Sequence, residues 1–181
     1  MRSRHWLSAL SGACAFFCVI AYAKASGVQG SGLVTLNGSI TETPCAIDTQ
    51  SRDQSIDLGA TPIGVMARDG QGKAHPFHIH LVNCQIARLD PSQEDWRYFQ
   101  VTFEGSVDRG FFGLSGDARG VALMLTDSSG RIAHPGEPLL PGELSSAGEQ
   151  TLDYTLRLVG NQQRLLAGDF RTTLRFRMNY Y

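Results

Sequence analysis

Four side-chain types in this chain could do chemistry, and each is read by its spacing. The cysteines come first. There are four, at Cys14, Cys18, Cys45 and Cys84. The first 25 residues open with Arg2, Arg4 and His5, run through an apolar stretch containing Phe16, Phe17, Val19 and Ile20, and end on small-x-small sites at Ala21-Tyr22-Ala23 and Ala23-Lys24-Ala25. That is the layout of a secretory signal peptide, too short to be a membrane span. Cleavage after Ala25 is the preferred site and after Ala23 the alternative. Cys14 and Cys18 leave with the leader. Cys45 and Cys84 remain as an even pair in an exported chain, so a disulfide is the default. A metal pair or a redox thiol pair would need closer spacing or further ligands.

The histidines are second. His78 and His80 share one face of an alternating stretch whose other face is Phe77, Ile79 and Leu81, with His75 just ahead. A metal site would want acidic or cysteine partners, and none is near in sequence, so these read as the wet side of a strand. Third is Ser115, in Leu-Ser-Gly, which lacks the elbow of a hydrolytic serine. Fourth are Glu149 and Asp153, with no partners that would make a general acid–base pair. No enzyme and no cofactor is expected. Tyr180 and Tyr181 could stack on a sugar, and Arg171, Arg175 and Arg177 could meet a charged surface. The plainer expectation is one packed tyrosine, one exposed tyrosine and a solvated strand face with snorkelling stems. With a net charge of −1, nothing suggests nucleic acid.

The elements that must carry these residues are strands. Val34, Leu36 and Ile40 alternate with polar residues, and the same parity runs back through Gly32, Gly30 and Val28. Further short runs are expected at Ile56–Gly59, Phe77–Val82, Phe99–Phe103, Val121–Leu125, Leu152–Leu158 and Phe170–Tyr180. Gly64–Ala74, Arg88–Trp96, Gly105–Gly116 and Pro135–Gly148 read as loops, with Phe111 and Phe112 as plugs into the core. Asp127-Ser128-Ser129-Gly130 is a turn. Six or seven short strands with turn signals and no long helical period give an all-β chain, a sandwich of immunoglobulin type.

An ordered set of motifs then carries a resemblance. It comprises Gly30-x-Gly32-x-Val34-Thr35-Leu36-Asn37-Gly38, Thr43-Pro44-Cys45-Ala46-Ile47, and a second cysteine closing Phe77–Cys84. It continues with the Leu114–Gly130 segment and an ending, Ala167-Gly168-Asp169-Phe170 to Tyr181, with a penultimate tyrosine. Over the whole mature chain this resembles the chaperone–usher fimbrial subunits, the pilins. The resemblance implies an incomplete immunoglobulin-like sandwich that lacks its last strand. A periplasmic chaperone fills the resulting groove, and at the outer-membrane usher the N-terminal arm of the next subunit replaces it, a form of β-augmentation.

Carried onto this sequence, residues 1–25 are the signal peptide, 26–38 the donor-strand arm and 39–181 the pilin domain. The donor positions are Val28, Gly30, Gly32, Val34 and Leu36. The groove and chaperone strand is Phe170, Thr172, Leu174, Phe176, Met178, Tyr180 and Tyr181. Partners are a chaperone, an usher and neighbouring pilins, and the destination is a fimbria on the cell surface that supports adhesion. The short arm and the Leu152–Val159 segment resemble a minor subunit, a base terminator or an adaptor. The 156 residues after Ala25 leave no room for a tip adhesin's lectin domain. The competing expectation is a secreted stand-alone β-sandwich that binds carbohydrate or protein.

Overall fold

A computed structural model describes residues 32–38, 40–146 and 148–181. The leader, Val28 and Gly30 lie outside the described residues. Two units are distinguished, Met1–Ser39 and Ile40–Tyr181. In the first, residues 32–38 have no regular structure, and Leu33, Val34 and Leu36 are exposed. The expected alternation is present there without a strand, because no described residue pairs with it.

In the second unit the chain runs β1 (Ala46–Ile47), α1 (Thr49–Arg52), α2 (Ile63–Asp69), β2 (His75–Val82), β3 (Tyr98–Glu104), β4 (Val107–Asp108) and β5 (Phe111–Phe112). It continues with β6 (Ser115–Gly116), β7 (Val121–Asp127), β8 (Ile132–Ala133), β9 (Gly142–Glu143), β10 (Gln150–Gly160), β11 (Phe170–Arg171) and β12 (Arg175–Tyr180). One sheet has the order β1-β2-β10-β7-β5-β4, with β8 on β7; a second has the order β12-β3-β9; β11 pairs with β6. Each of these pairings is antiparallel. This is the all-β, incomplete immunoglobulin-like sandwich.

Alternation decides which faces meet. On β2, Ile79 and Leu81 are buried while His78 and His80 face water. On β10, Leu152, Tyr154, Leu156 and Leu158 are buried, in register with Phe77 and Ile79 on one side and Leu123 and Leu125 on the other. Phe103 from the second sheet closes the core edge-on against Tyr154, with ring centres 5.0 Å apart. Phe112 is wholly buried, the plug expected of it. The Asp127–Gly130 turn forms as its residues dictate. Gly130 takes φ 78°, and the Asp127 carboxylate accepts from the Ser129 and Arg131 backbone amides at 2.9 and 3.0 Å.

Four expectations are corrected. Gly105–Gly116 is not all loop, since β4, β5 and β6 fall within it. Gly64–Ala74 is not all loop: Pro62 opens α2 and Gly70, at φ 69°, closes it by donating to the Met66 carbonyl. Seven residues with one buried side chain, Met66, are too few to show a helical period. Ile56–Gly59 has no regular structure rather than being a strand, because no described neighbour pairs with it. Phe170–Tyr180 is two strands, since the chain changes partner from β6 to β3 between Arg171 and Arg175.

Tyr154 places an ionisable group in the core. Burial, then the nearby Asp127 charge, pushes its phenol well above the usual tyrosine range. The folded pKa is raised, so this contribution to stability is complete below pH 10. It is lost as the pH climbs, because the unfolded chain releases the proton first. The urea midpoint should fall between pH 10 and 11, and Tyr154→Phe should flatten that fall; an equal fall in the variant would remove Tyr154 as its cause.

Candidate functional site

The second sheet ends at β12, which pairs with β3 alone, so its other edge holds no strand among the described residues. A groove of about 1370 Å³ lies along that side. Its two rims are the segments 51–61 and 165–176, and its floor is Phe77, Phe103, Leu123, Leu156 and Leu158. A gap between two rims that reaches the core has the shape left when one strand of a sandwich is absent.

Local chemistry keeps the rims in place. On the first rim, Asp48 caps α1 by accepting from Gln50 N at 3.0 Å, and Ser51 Oγ accepts from His80 N at 2.9 Å. Gln54 Nε2 donates to the His78 carbonyl at 2.9 Å. Side chains do this work; outside the helices and strands, no backbone–backbone hydrogen bond involves 54–61 among the described residues. The second rim is held from its far side. Asp169 O accepts from Asp117 N and Ala118 N at 2.8 and 3.1 Å, and Thr172 Oγ1 donates to Gly113 O at 2.9 Å. The chains pass so closely here that a Cβ on Gly168 would meet Ala118 N at 2.6 Å. The first rim over 54–61 and the outer edge of β12 therefore have no strand partner among the described residues, and they border an apolar floor. That combination binds extended peptide.

Phe170, Thr172, Leu174 and Phe176 line the groove. Met178 and Tyr180, further along β12, and Tyr181, just after it, do not line the groove. Met178 and Tyr180 pack against the core, and Tyr181 is tied to Tyr98 by backbone bonds in both directions, at 2.9 and 3.1 Å. Burial raises the Tyr180 phenol pKa. Of the donor positions, Gly32, Val34 and Leu36 are described, and all are exposed. Ile56 and Leu58, from the expected Ile56–Gly59 run, line the first rim, but the groove positions named from the sequence included neither of them, nor Ile63, Met66 and Leu166 at its end. The alternation of Gln54, Ile56 and Leu58 is the rim's only trace in the sequence.

Cys45 and Cys84 form the disulfide, bridging 39 residues of chain. His78 Nδ1 lies 2.6 Å from Asp153 Oδ1, and His80 Nδ1 lies 3.0 Å from Thr151 Oγ1, both pairs on the exposed side of β2 and β10. No group of three or more His, Cys, Asp or Glu residues that could hold a metal occurs among the described residues. Ser115 Oγ donates to the Arg171 carbonyl at 3.0 Å, tying β6 to β11, which is a structural use of that hydroxyl. On the solvent side of β12, Arg177 pairs with Glu104 at 3.2 Å.

Comparison with known proteins agrees with this geometry. The fimbrial protein family matches residues 34–181. The PRS fimbrial minor pilin protein of Escherichia coli is 32% identical over 157 residues, covering 84% of this chain and 79% of that one. The major MR/P fimbria protein of Proteus mirabilis is 29% identical over 167 residues, covering 90% and 91%. Among solved structures, the P pilus rod subunit PapA is similar in fold, with a TM-score of 0.68 at 23% identity, covering 77% of this chain and 100% of that one. The chain belongs to the fimbrial protein family and is a structural, non-enzymatic subunit of a surface fimbria.

Proposed function

We propose that this subunit is assembled by donor-strand exchange. Its groove accepts the N-terminal arm of a neighbouring pilin and its own arm fills the groove of another, after a periplasmic chaperone has delivered it to an outer-membrane usher. The observation that carries the reading is an apolar groove bordered by 54–61, which pairs with no strand among the described residues, and by the segment that leads into β12, whose outer edge is likewise without one. A strand laid there would bond to both rims at the usual spacing of about 4.8 Å on each side. In keeping with the antiparallel pairing of the named strands, it would run antiparallel to β12.

The donor series extends beyond Leu36 on this reading. Ile40 keeps the parity of Val34 and Leu36 and is fully exposed, which favours an arm that runs two residues beyond Gly38, to Ile40. Within the fibre, a minor position fits best. The arm is short, and the PRS minor pilin is among the similar proteins. The groove runs open from Ile47 and Phe176 to Ile63 and Leu166, which suits an adaptor that both accepts and donates better than a terminator that only donates. Its contribution to adhesion is then mechanical, as a link in the fibre that presents the adhesive tip.

Removing residues 26–36 tests the donor half. The shortened protein should still be recovered with its chaperone and should no longer enter a preceding subunit's groove. Loss of both properties, or of neither, would count against this assignment of the arm.

A further inference from the structure

Ile40 is fully exposed, yet two residues later the chain is held firmly. Glu42 Oε1 accepts from the Leu89 amide at 2.8 Å, and Glu42 Oε2 lies 4.0 Å from Arg88 Nη1. Both side chains are largely covered, at 33% and 21% exposed. The Arg88 guanidinium lies 3.2 Å from the centre of the Trp96 ring, and Arg88 Nε donates to the Glu94 carbonyl at 3.2 Å. Trp96 in turn meets the Tyr180 ring of β12 edge-on at 6.3 Å. Beyond Glu42, Pro44 O accepts from Gln85 N at 2.7 Å and the disulfide follows. Leu89, whose amide makes the bond to Glu42, turns its own side chain outward and is 87% exposed.

We propose that Glu42, Arg88 and Trp96 form a latch that seats the root of the arm and presents Leu89 to the subunit that receives the arm. The joint between two subunits is then a held contact rather than a free tether. The proposal rests on the strand-exchange reading above. With Ile40 at the end of a neighbour's groove, Glu42 follows within about 7 Å of fully extended chain. The latch therefore brings Leu89 up to the neighbour's surface. An arm antiparallel to β12 brings its root to the groove end formed by Ile63 and Leu166. In a second copy of this chain that lip is itself apolar and half-exposed, at 46% and 47%. An exposed leucine on the donor thus faces an exposed apolar lip on the receiver, a pairing that removes both from water.

The experiment uses pairs of this protein, the arm of one copy in the groove of another. The reporter is Trp96, the only tryptophan outside the leader, since the other is Trp6. In the single subunit, Glu42→Ala should speed hydrogen exchange of the Leu89 amide at least fivefold and shift Trp96 emission. Arg88→Lys, which keeps the charge but not the planar stack, should shift the emission in the same direction. In the pair, the angle between the two sandwiches seen by electron microscopy should be narrow for the wild type and at least twice as widely spread for Glu42→Ala. A thiol at Leu89→Cys should be labelled at least tenfold more slowly in the pair than in the single subunit. Pairs that form with unchanged spread and unchanged labelling would overturn the latch and leave strand exchange standing. Wild-type copies that form no pair would overturn strand exchange between copies, and the latch with it.

Discussion

A synthetic peptide of a pilin arm, added to the subunit at about a thousand times its dissociation constant, should raise the melting temperature by roughly 8–16 °C. Ligand at that excess stabilises the folded state by about 4.1 kcal/mol, and each kcal/mol moves the midpoint of a domain of this size by about 2–4 °C. The physical source is the groove itself. Phe77, Leu174 and Phe176 are only partly buried beside a fully buried core of Phe103, Leu123 and Ile79. A strand in the groove covers them and satisfies two rows of backbone groups at once. Replacing the apolar arm residues Val34, Leu36 and Ile40 by aspartate in the peptide should abolish the shift, because each would place an unpaired charge over the apolar floor. An equal shift with the aspartate peptide would mean that binding occurs outside the groove.

Replacing Cys45 and Cys84 by serine should cost about 4 kcal/mol. That is the loop-closure entropy of a bridge spanning a 39-residue loop, against a net stability of only about 5–15 kcal/mol for a whole domain. The bridge also does local work here. β1 is two residues long, pairing Ala46 with Val82 and Ile47 with Leu81, and it leads into the first rim of the groove. Without the disulfide, that rim would be held to β2 by little beyond these pairs and the side-chain bonds of Ser51 and Gln54. The double variant should melt well below the wild type in a chaperone-free refolded sample and accumulate poorly in the periplasm. Equal melting temperatures would show that the rim is held by its other contacts.

The strands with one wet face and one dry face are legible in the amino-acid sequence. Phe77–Val82 and Leu152–Leu158 alternate cleanly because each packs on one side only, and the Asp127–Gly130 turn announces itself by residue type. The disulfide follows from the count of cysteines left after the leader. The groove is not legible, because a missing strand leaves no residues to read; only the resemblance to pilins suggests it. The first rim is obscured for a related reason. Gln54, Ile56 and Leu58 alternate as a strand would, but a segment with no partner is not a strand until one arrives. Gly38 interrupts the apolar series of the arm, and on the strand-exchange reading the parity and the exposure of Ile40 favour its continuing two residues further. The Arg88–Trp96 stack joins residues eight apart in a loop, a spacing with no periodic signature. The helix α2 is hidden by its length.

The same side chains serve the fold and the groove. Phe103 packs against Tyr154, Phe77 and Phe176 at once, with ring centres 5.0, 6.2 and 6.3 Å away. The floor that an arm would touch is thus the top of the core itself. On the strand-exchange reading, this explains why a subunit with an empty groove needs a chaperone: the open face is continuous with the interior, and water reaches aromatic rings that a completed sandwich would seal.

The most direct test of strand exchange is chaperone displacement. The subunit is purified as a complex with a periplasmic pilus chaperone, incubated with an excess of the wild-type arm peptide, and followed on a native gel. Strand exchange at an open groove predicts free chaperone together with a new subunit–peptide band, appearing over time with the wild-type peptide and not with the aspartate peptide. A chaperone complex that persists unchanged beside excess wild-type peptide would contradict the claim that this groove accepts a donor strand.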